Sequence, residues 1–210
     1  MSQFPLGRET LSHSFLPTSR TLRAEAAMEM LLELGTEANY CKALPLLGPP
    51  GCGKTHFALQ YARLFEEKFG TKLRTLYVEV TTGTNLKGLA ADVLKNAGDP
   101  DPGYGTQAEK TARAAVLMKG RYDLLYLDEF HRLIDRASQK VDKKAADWVT
   151  NFLNYKICPV VMIGEARCAR IFVDSDQFDG RTFSPARMDA FDWVPRRTGL
   201  SIGISSRPSR

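Results

Sequence analysis

Gly48-Pro49-Pro50-Gly51-Cys52-Gly53-Lys54-Thr55 matches the phosphate-binding loop pattern G-x-x-x-x-G-K-[ST] at every fixed position. The apolar run Ala43-Leu44-Pro45-Leu46-Leu47 precedes it and an amphipathic run from Thr55 to Phe69 follows. That is the strand–loop–helix setting in which the pattern carries meaning. Glycines let the backbone turn its N–H groups inward around an anion, and the following helix presents its positive end to the same group. Lys54 supplies a point charge for β- and γ-phosphates, and the Thr55 hydroxyl is a ligand for Mg²⁺. The nucleotide-binding candidates are therefore Gly48, Pro49, Pro50, Gly51, Cys52, Gly53, Lys54, Thr55 and His56. Cys52 is expected to be a small filler, and His56 a helix residue near the phosphates.

Downstream, Tyr122-Asp123-Leu124-Leu125-Tyr126-Leu127-Asp128-Glu129 reads as an apolar strand that delivers two carboxylates at its C-terminal end. In a parallel sheet that end is the ligand-binding edge. Asp128 is the expected Mg²⁺ partner through water, and Glu129 the carboxylate that orients and polarises an attacking water. His131 is expected to face solvent on a helix, since a lone histidine has no ligand partner nearby in sequence.

Around these motifs the apolar spacing predicts a helix over Ser19 to Leu34, with Leu22, Ala26, Met30 and Leu31 inward and Gly35 as its stop. A strand is expected over Leu73 to Val80, and helices over Leu86 to Leu94 and Thr106 to Met118. A helix over Lys143 to Tyr155 would turn Ala146, Val149, Phe152 and Leu153 inward, with Trp148 packing. Pro159 to Ile163 reads as a buried strand ending at Gly164. Two short helical pieces then lead to a last strand over Met188 to Trp193. Strands alternate with helices throughout, which argues for a mainly parallel sheet covered on both faces.

Bulk properties narrow the function classes. The chain has 210 residues, enough for one good-sized core. No segment is long and apolar enough to cross a bilayer, and the N-terminus lacks a secretory pattern. The four cysteines, Cys41, Cys52, Cys158 and Cys168, form neither a zinc pattern nor a disulfide framework. A free thiol inside the phosphate loop fits a reducing cytoplasm. The net charge of +5 is compatible with DNA binding, and Lys87, Lys119 and Arg121 are the candidate backbone contacts.

The Asp128-Glu129 pair after the P-loop resembles AAA+ ATPases. Val160-Val161-Met162-Ile163-Gly164-Glu165-Ala166-Arg167, then Asp174-Ser175-Asp176-Gln177-Phe178-Asp179-Gly180-Arg181-Thr182-Phe183, then Phe191-Asp192-Trp193 narrow this. Together with Pro17-Thr18-Ser19-Arg20 and Phe130-His131, they resemble the TniB/TnsC group of transposition ATPases over residues 12–194. The resemblance implies a three-layer α/β/α domain of the P-loop NTPase (AAA+) type with a mainly parallel sheet. It implies that Lys54, Thr55, Asp128 and Glu129 bind and hydrolyse Mg-ATP. It also implies that Arg181 is an arginine finger reaching the γ-phosphate of a neighbouring copy, with Arg187 a lesser candidate. A finger in trans requires a homo-oligomer. Non-specific DNA and a transposase are the implied partners, and no membrane is.

Two departures from that group carry expectations of their own. Glu165 stands where the group often has Thr, and an acid there is expected to point away from phosphates. Thr198 to Arg210 has little helical character, so no helical lid is expected. The expected organisation is an irregular arm over residues 1–17, an ATPase domain over 18–194 and a disordered basic tail over 195–210. Two rival readings remain open at this point. One is an AAA+ ATPase of another DNA-processing system, such as a helicase loader or clamp loader; the other is a non-hydrolysing ATP-dependent interaction module.

Overall fold

The computed structural model describes residues 18–37, 41–133, 143–169 and 180–190. The expected arm over 1–17, the Asp176-Gln177 pair, Trp193, the tail over 195–210 and the lid question lie outside them. In chain order the elements are α1 (Ser19–Glu37), β1 (Ala43–Leu47), α2 (Lys54–Phe69), β2 (Thr75–Glu79), α3 (Leu86–Ala97) and α4 (Gln107–Met118). Then come β3 (Leu124–Asp128), a 3-10 turn (Phe130–Leu133), α5 (Lys143–Asn154), β4 (Val160–Gly164), a 3-10 turn (Ala166–Cys168) and β5 (Ala186–Arg187).

The strands form one sheet in the order β2-β3-β4-β1-β5, and every pairing is parallel. Strand alternation explains the layers, because successive side chains leave opposite faces of a strand. Leu125 and Leu127 of β3, and Val160 and Met162 of β4, join a core with α3, α4 and α5. Leu124, Tyr126, Val161 and Ile163 join a second core with α1 and α2. Both faces are covered, so β1, β3 and β4 are buried along their whole length. The result is a three-layer α/β/α domain.

Pro45 lies inside β1, where a missing N–H would normally break a ladder. Ala43 donates its N–H to the Arg181 carbonyl at 2.9 Å, and the Leu47 carbonyl accepts from Met188 N–H at 2.8 Å. Both bonds point toward the β5 side. Pro45, at the same phase, turns its nitrogen to that side, where β5 pairs only with Leu46 and Leu47.

Three expectations are corrected. The inward face of α1 is Ala24, Met28, Leu31 and Leu32, while Leu22 and Met30 are about half exposed and Ala26 faces solvent. Gly35 does not stop α1; the helix runs through it to Glu37. A Cβ at Gly35 would lie 2.9 Å from Pro159 Cγ, so the glycine serves the close approach of α1 to the start of β4. The last strand among the described residues is Ala186–Arg187, where the chain meets Leu46 and Leu47; of the strand expected over 188–193, residues 188–190 are not strand and 191–193 lie outside the described residues. The other expected strands and helices up to β4 stand, with α3 running to Ala97 and α4 opened by a Thr106–Glu109 capping box; of the two short helical pieces expected after β4, one is Ala166–Cys168 and residues 170–179 lie outside the described residues. Trp148 packs as expected: it is buried, and its Nε1 donates to Thr111 Oγ1 at 3.0 Å.

Candidate functional site

The register brings four strand ends level. Leu47 stands opposite Gly164, and Glu79 opposite Asp128. The phosphate loop leaves β1 at this edge, and Gly48 donates its N–H to the Gly164 carbonyl at 3.2 Å. Gly48 is pressed against the chain after β5: a Cβ there would overlap the Met188 carbonyl oxygen and lie 2.9 Å from Cys52 Sγ. Gly51 (φ 73°) and Gly53 (φ 93°) take the left-handed conformations that wrap the loop. Cys52 is buried beneath it, as a filler.

Gly53 caps α2 with no side-chain hydrogen bond, and the first turn of α2 carries no acid. The first-turn N–H groups are thus left for an anion. Lys54 Nζ donates to the Gly48 and Pro49 carbonyls at 3.0 and 2.8 Å, which holds the ammonium across the loop. His56 is exposed on the same turn.

Asp128 is buried at the end of β3. Its Oδ2 accepts from Thr55 Oγ1 at 2.6 Å and from Tyr77 Oη at 2.6 Å. Its Oδ1 accepts from the Glu129 N–H at 2.6 Å. The loop hydroxyl and the strand carboxylate, 73 residues apart in sequence, thus meet directly. Both are hard oxygen donors, the kind Mg²⁺ takes beside a phosphate chain. The residues present therefore fit Mg-ATP. Tyr77, from β2, had no signal in the sequence. Burial and the Asp128 carboxylate push its phenol well above the ordinary range, so it is a hydrogen-bond donor here.

Glu129 adopts φ 57°, a left-handed conformation uncommon for a non-glycine residue. This sharp exit from β3 is fixed by neighbours. Arg132 Nη1 donates to Glu79 Oε1 and the Val80 carbonyl, both at 2.7 Å, and its Nε lies 3.3 Å from Glu129 Oε2. His131 is corrected from a solvent-facing residue to a buried one, 8% exposed. Its Nε2 lies 3.3 Å from Glu129 Oε2 and 3.1 Å from Glu165 Oε1. Glu165 also takes Arg167 Nε at 2.9 Å, so its carboxylate is engaged with cations and imidazole.

Arg181 lies elsewhere. Its carbonyl pairs with the start of β1, and its Nη1 donates to Asn154 Oδ1 at the end of α5. That is the sheet edge opposite the phosphate loop. Arg187, in β5, is exposed. Lys87 opens α3 on the loop's edge, whereas Lys119 and Arg121 precede β3 at the far edge. The three candidate DNA contacts therefore do not share one edge. A groove of about 760 Å³ at the far edge, lined by Leu32, Cys41, Phe65, Phe69, Tyr122 and Ile157 among others, holds none of the candidate site residues.

A family model described as an AAA domain matches residues 37–172, which include the phosphate loop, Asp128, Glu129 and Glu165. No curated protein matches the chain in sequence. Among solved structures it is similar to the Aeropyrum pernix ORC2 protein, solved as ADPNP-ADP complexes, with a TM-score of 0.62 and 16% identity over 86% of this chain and 51% of that one. It is similar to the Aeropyrum pernix ORC1 protein in complex with DNA, with a TM-score of 0.61 and 16% identity over 84% of this chain and 46% of that one. It is also similar to Cdc6p from Pyrobaculum aerophilum, with a TM-score of 0.58 and 17% identity over 85% and 48%. The chain spans about half the length of each of these three.

Proposed function

The chain belongs to the AAA domain family, and from that premise we propose that it is a Mg-dependent ATPase of the cytoplasm that binds DNA and assists a transposase in target selection. The observation that carries the nucleotide reading is the 2.6 Å bond between Thr55 of the loop and Asp128 of β3, beside Lys54. Lys54 and the first-turn N–H groups of α2 hold the phosphates. Thr55 and Asp128 offer the metal ligands, and Mg²⁺, when bound, neutralises charge on the transferring phosphoryl group. Glu129 orients the attacking water and accepts its proton.

Arg181 is too far around the sheet to serve its own pocket, which supports a finger acting on a neighbouring copy in a homo-oligomer. The positive net charge supports contacts to the DNA backbone, with Lys87 the candidate on the nucleotide edge. The transposase is supported by the resemblance of residues 160–193 to the TniB/TnsC group. The likeness of fold to ORC and Cdc6 proteins favours a second reading, an AAA ATPase of another DNA-processing system.

The test uses two variants. Lys54→Ala is expected to remove binding of a fluorescent ATP analogue. Glu129→Gln is expected to keep that binding and lower phosphate release by about 10²- to 10⁴-fold. A Lys54→Ala protein that binds like wild type sinks the phosphate site, and turnover that survives Glu129→Gln sinks the assigned base. A wild type that binds ATP without turnover leaves the interaction-module reading. ATP-dependent redirection of a cognate transposase's strand transfer supports the first reading over the second.

A further inference from the structure

His131 and Glu165 stand beside the water-activating carboxylate with no part in the chemistry above. The His131 ring is buried between the exits of β3 and β4, with Nε2 facing both Glu129 and Glu165. Its Nδ1 is buried with no hydrogen-bond partner among the described residues. A neutral imidazole carries one N–H. Two carboxylates lie 3.1 and 3.3 Å from Nε2 and no acceptor among the described residues meets Nδ1, so the hydrogen is placed on Nε2. A charged ring would bury a second N–H at Nδ1 without an acceptor.

The cluster is closed at both ends. Arg167 Nε holds Glu165 at 2.9 Å, and Arg132 Nε lies 3.3 Å from Glu129. A run of alternating partners, Arg167–Glu165–His131–Glu129–Arg132, thus joins the turn after β4 to the turn after β3. Gly164 permits the close approach: a Cβ there would lie 3.0 Å from Cys168 Sγ and 3.5 Å from the His131 backbone nitrogen.

We infer that His131 is a positioning residue that ties the carboxylate of Glu129 to Glu165, so that the turn after β4 sets the pose of the group that orients water. The inference rests on the role proposed for Glu129. Two features make the tie effective. Glu129 leaves a left-handed backbone with a third of its side chain exposed, so without partners its carboxylate has several rotamers open to it. Small displacements of a general base are costly in rate. An acid at position 165 is unsuited to phosphate contact but suited to accept an imidazole N–H.

The test needs one readout that does not depend on turnover. In the full chain labelled with ¹⁵N-histidine, the resonances of His131 are identified by their loss in His131→Gln; His13 and His56 are the other two histidines. The expected spectrum is the Nε2–H tautomer, with the Nε2 signal shifted by both Glu165→Gln and Glu129→Gln. In turnover, His131→Leu and Glu165→Ala are each expected to lower kcat about tenfold with ATP affinity unchanged. His131→Gln, whose amide N–H can replace Nε2–H, is expected to retain most of the rate. An Nε2 signal indifferent to Glu129→Gln, or a His131→Leu enzyme with wild-type kcat, overturns the tie. If His131→Leu melts early, the spectra and His131→Gln decide. If wild type binds ATP but does not hydrolyse it, the function proposal fails while the spectra still judge the tie.

Discussion

Two positions at the nucleotide edge illustrate how single atoms constrain this protein. At Gly48 the problem is room, since a Cβ would overlap the Met188 carbonyl oxygen, a backbone atom that cannot swing aside. Gly48→Ala is expected to cost about 3 kcal/mol or more in urea unfolding and to abolish nucleotide binding. At His131 the issue is charge. Burial pushes its imidazole below the ordinary 6.5, outweighing the upward pull of Glu165 and Glu129, which Arg167 and Arg132 oppose. The unfolded chain therefore takes up this proton first as pH falls. The stability contribution is complete above the unfolded value and is lost as pH drops through it toward the folded one. Urea midpoints measured between about pH 5 and 8 are expected to fall on the acid side in wild type. That limb should be shallower in His131→Gln.

Helices and strands differ in how far their own sequence orients them. The strands β1, β3 and β4 are buried on both faces, so apolar runs located them and left no face to choose. The helix α1 offered two overlapping apolar sets. Of the expected set Leu31 is inward, but Leu22, Ala26 and Met30 face outward, because the sheet is met by Ala24, Met28 and Leu31. Glycine ends many helices, but Gly35 makes room for Pro159 within α1. Gly35→Ala sets two effects against each other. Helix propensity gains about 1 kcal/mol. Overpacking against a proline ring costs about 1–3 kcal/mol, and the ring has little freedom to move. The net expectation is a loss of about 1 kcal/mol, read as a lower thermal midpoint.

For the molecule as a whole, the parallel sheet sorts residues between two edges. Lys54, Thr55, Asp128, Glu129 and Lys87 fall at one, and Arg181, Lys119 and Arg121 at the other. An arginine at the far edge can act on a phosphate only in another copy. Arg181→Ala is thus expected to leave ATP affinity unchanged and to lower turnover by about 10³-fold at protein concentrations where wild-type specific activity rises with concentration. Equal specific activity of variant and wild type across a dilution series would remove the finger assignment. Among the described residues no helix is long and apolar enough to cross a membrane.

Glycine spacing, a following amphipathic run and an apolar strand ending in two acids are local properties of the chain. They were enough for the phosphate loop, a mainly parallel sheet and the placing of Thr55 and Asp128 at one edge of it, because hydrogen bonding and burial leave such segments few alternatives; the direct bond between the two came from the structure. Tyr77, the bridging of His131, the staple made by Arg132 and the site of β5 left no trace in local pattern. Each depends on which atoms of distant segments arrive at hydrogen-bond distance once the strands align in register. That distance is a property of packing in three dimensions and is written into no single stretch of residues.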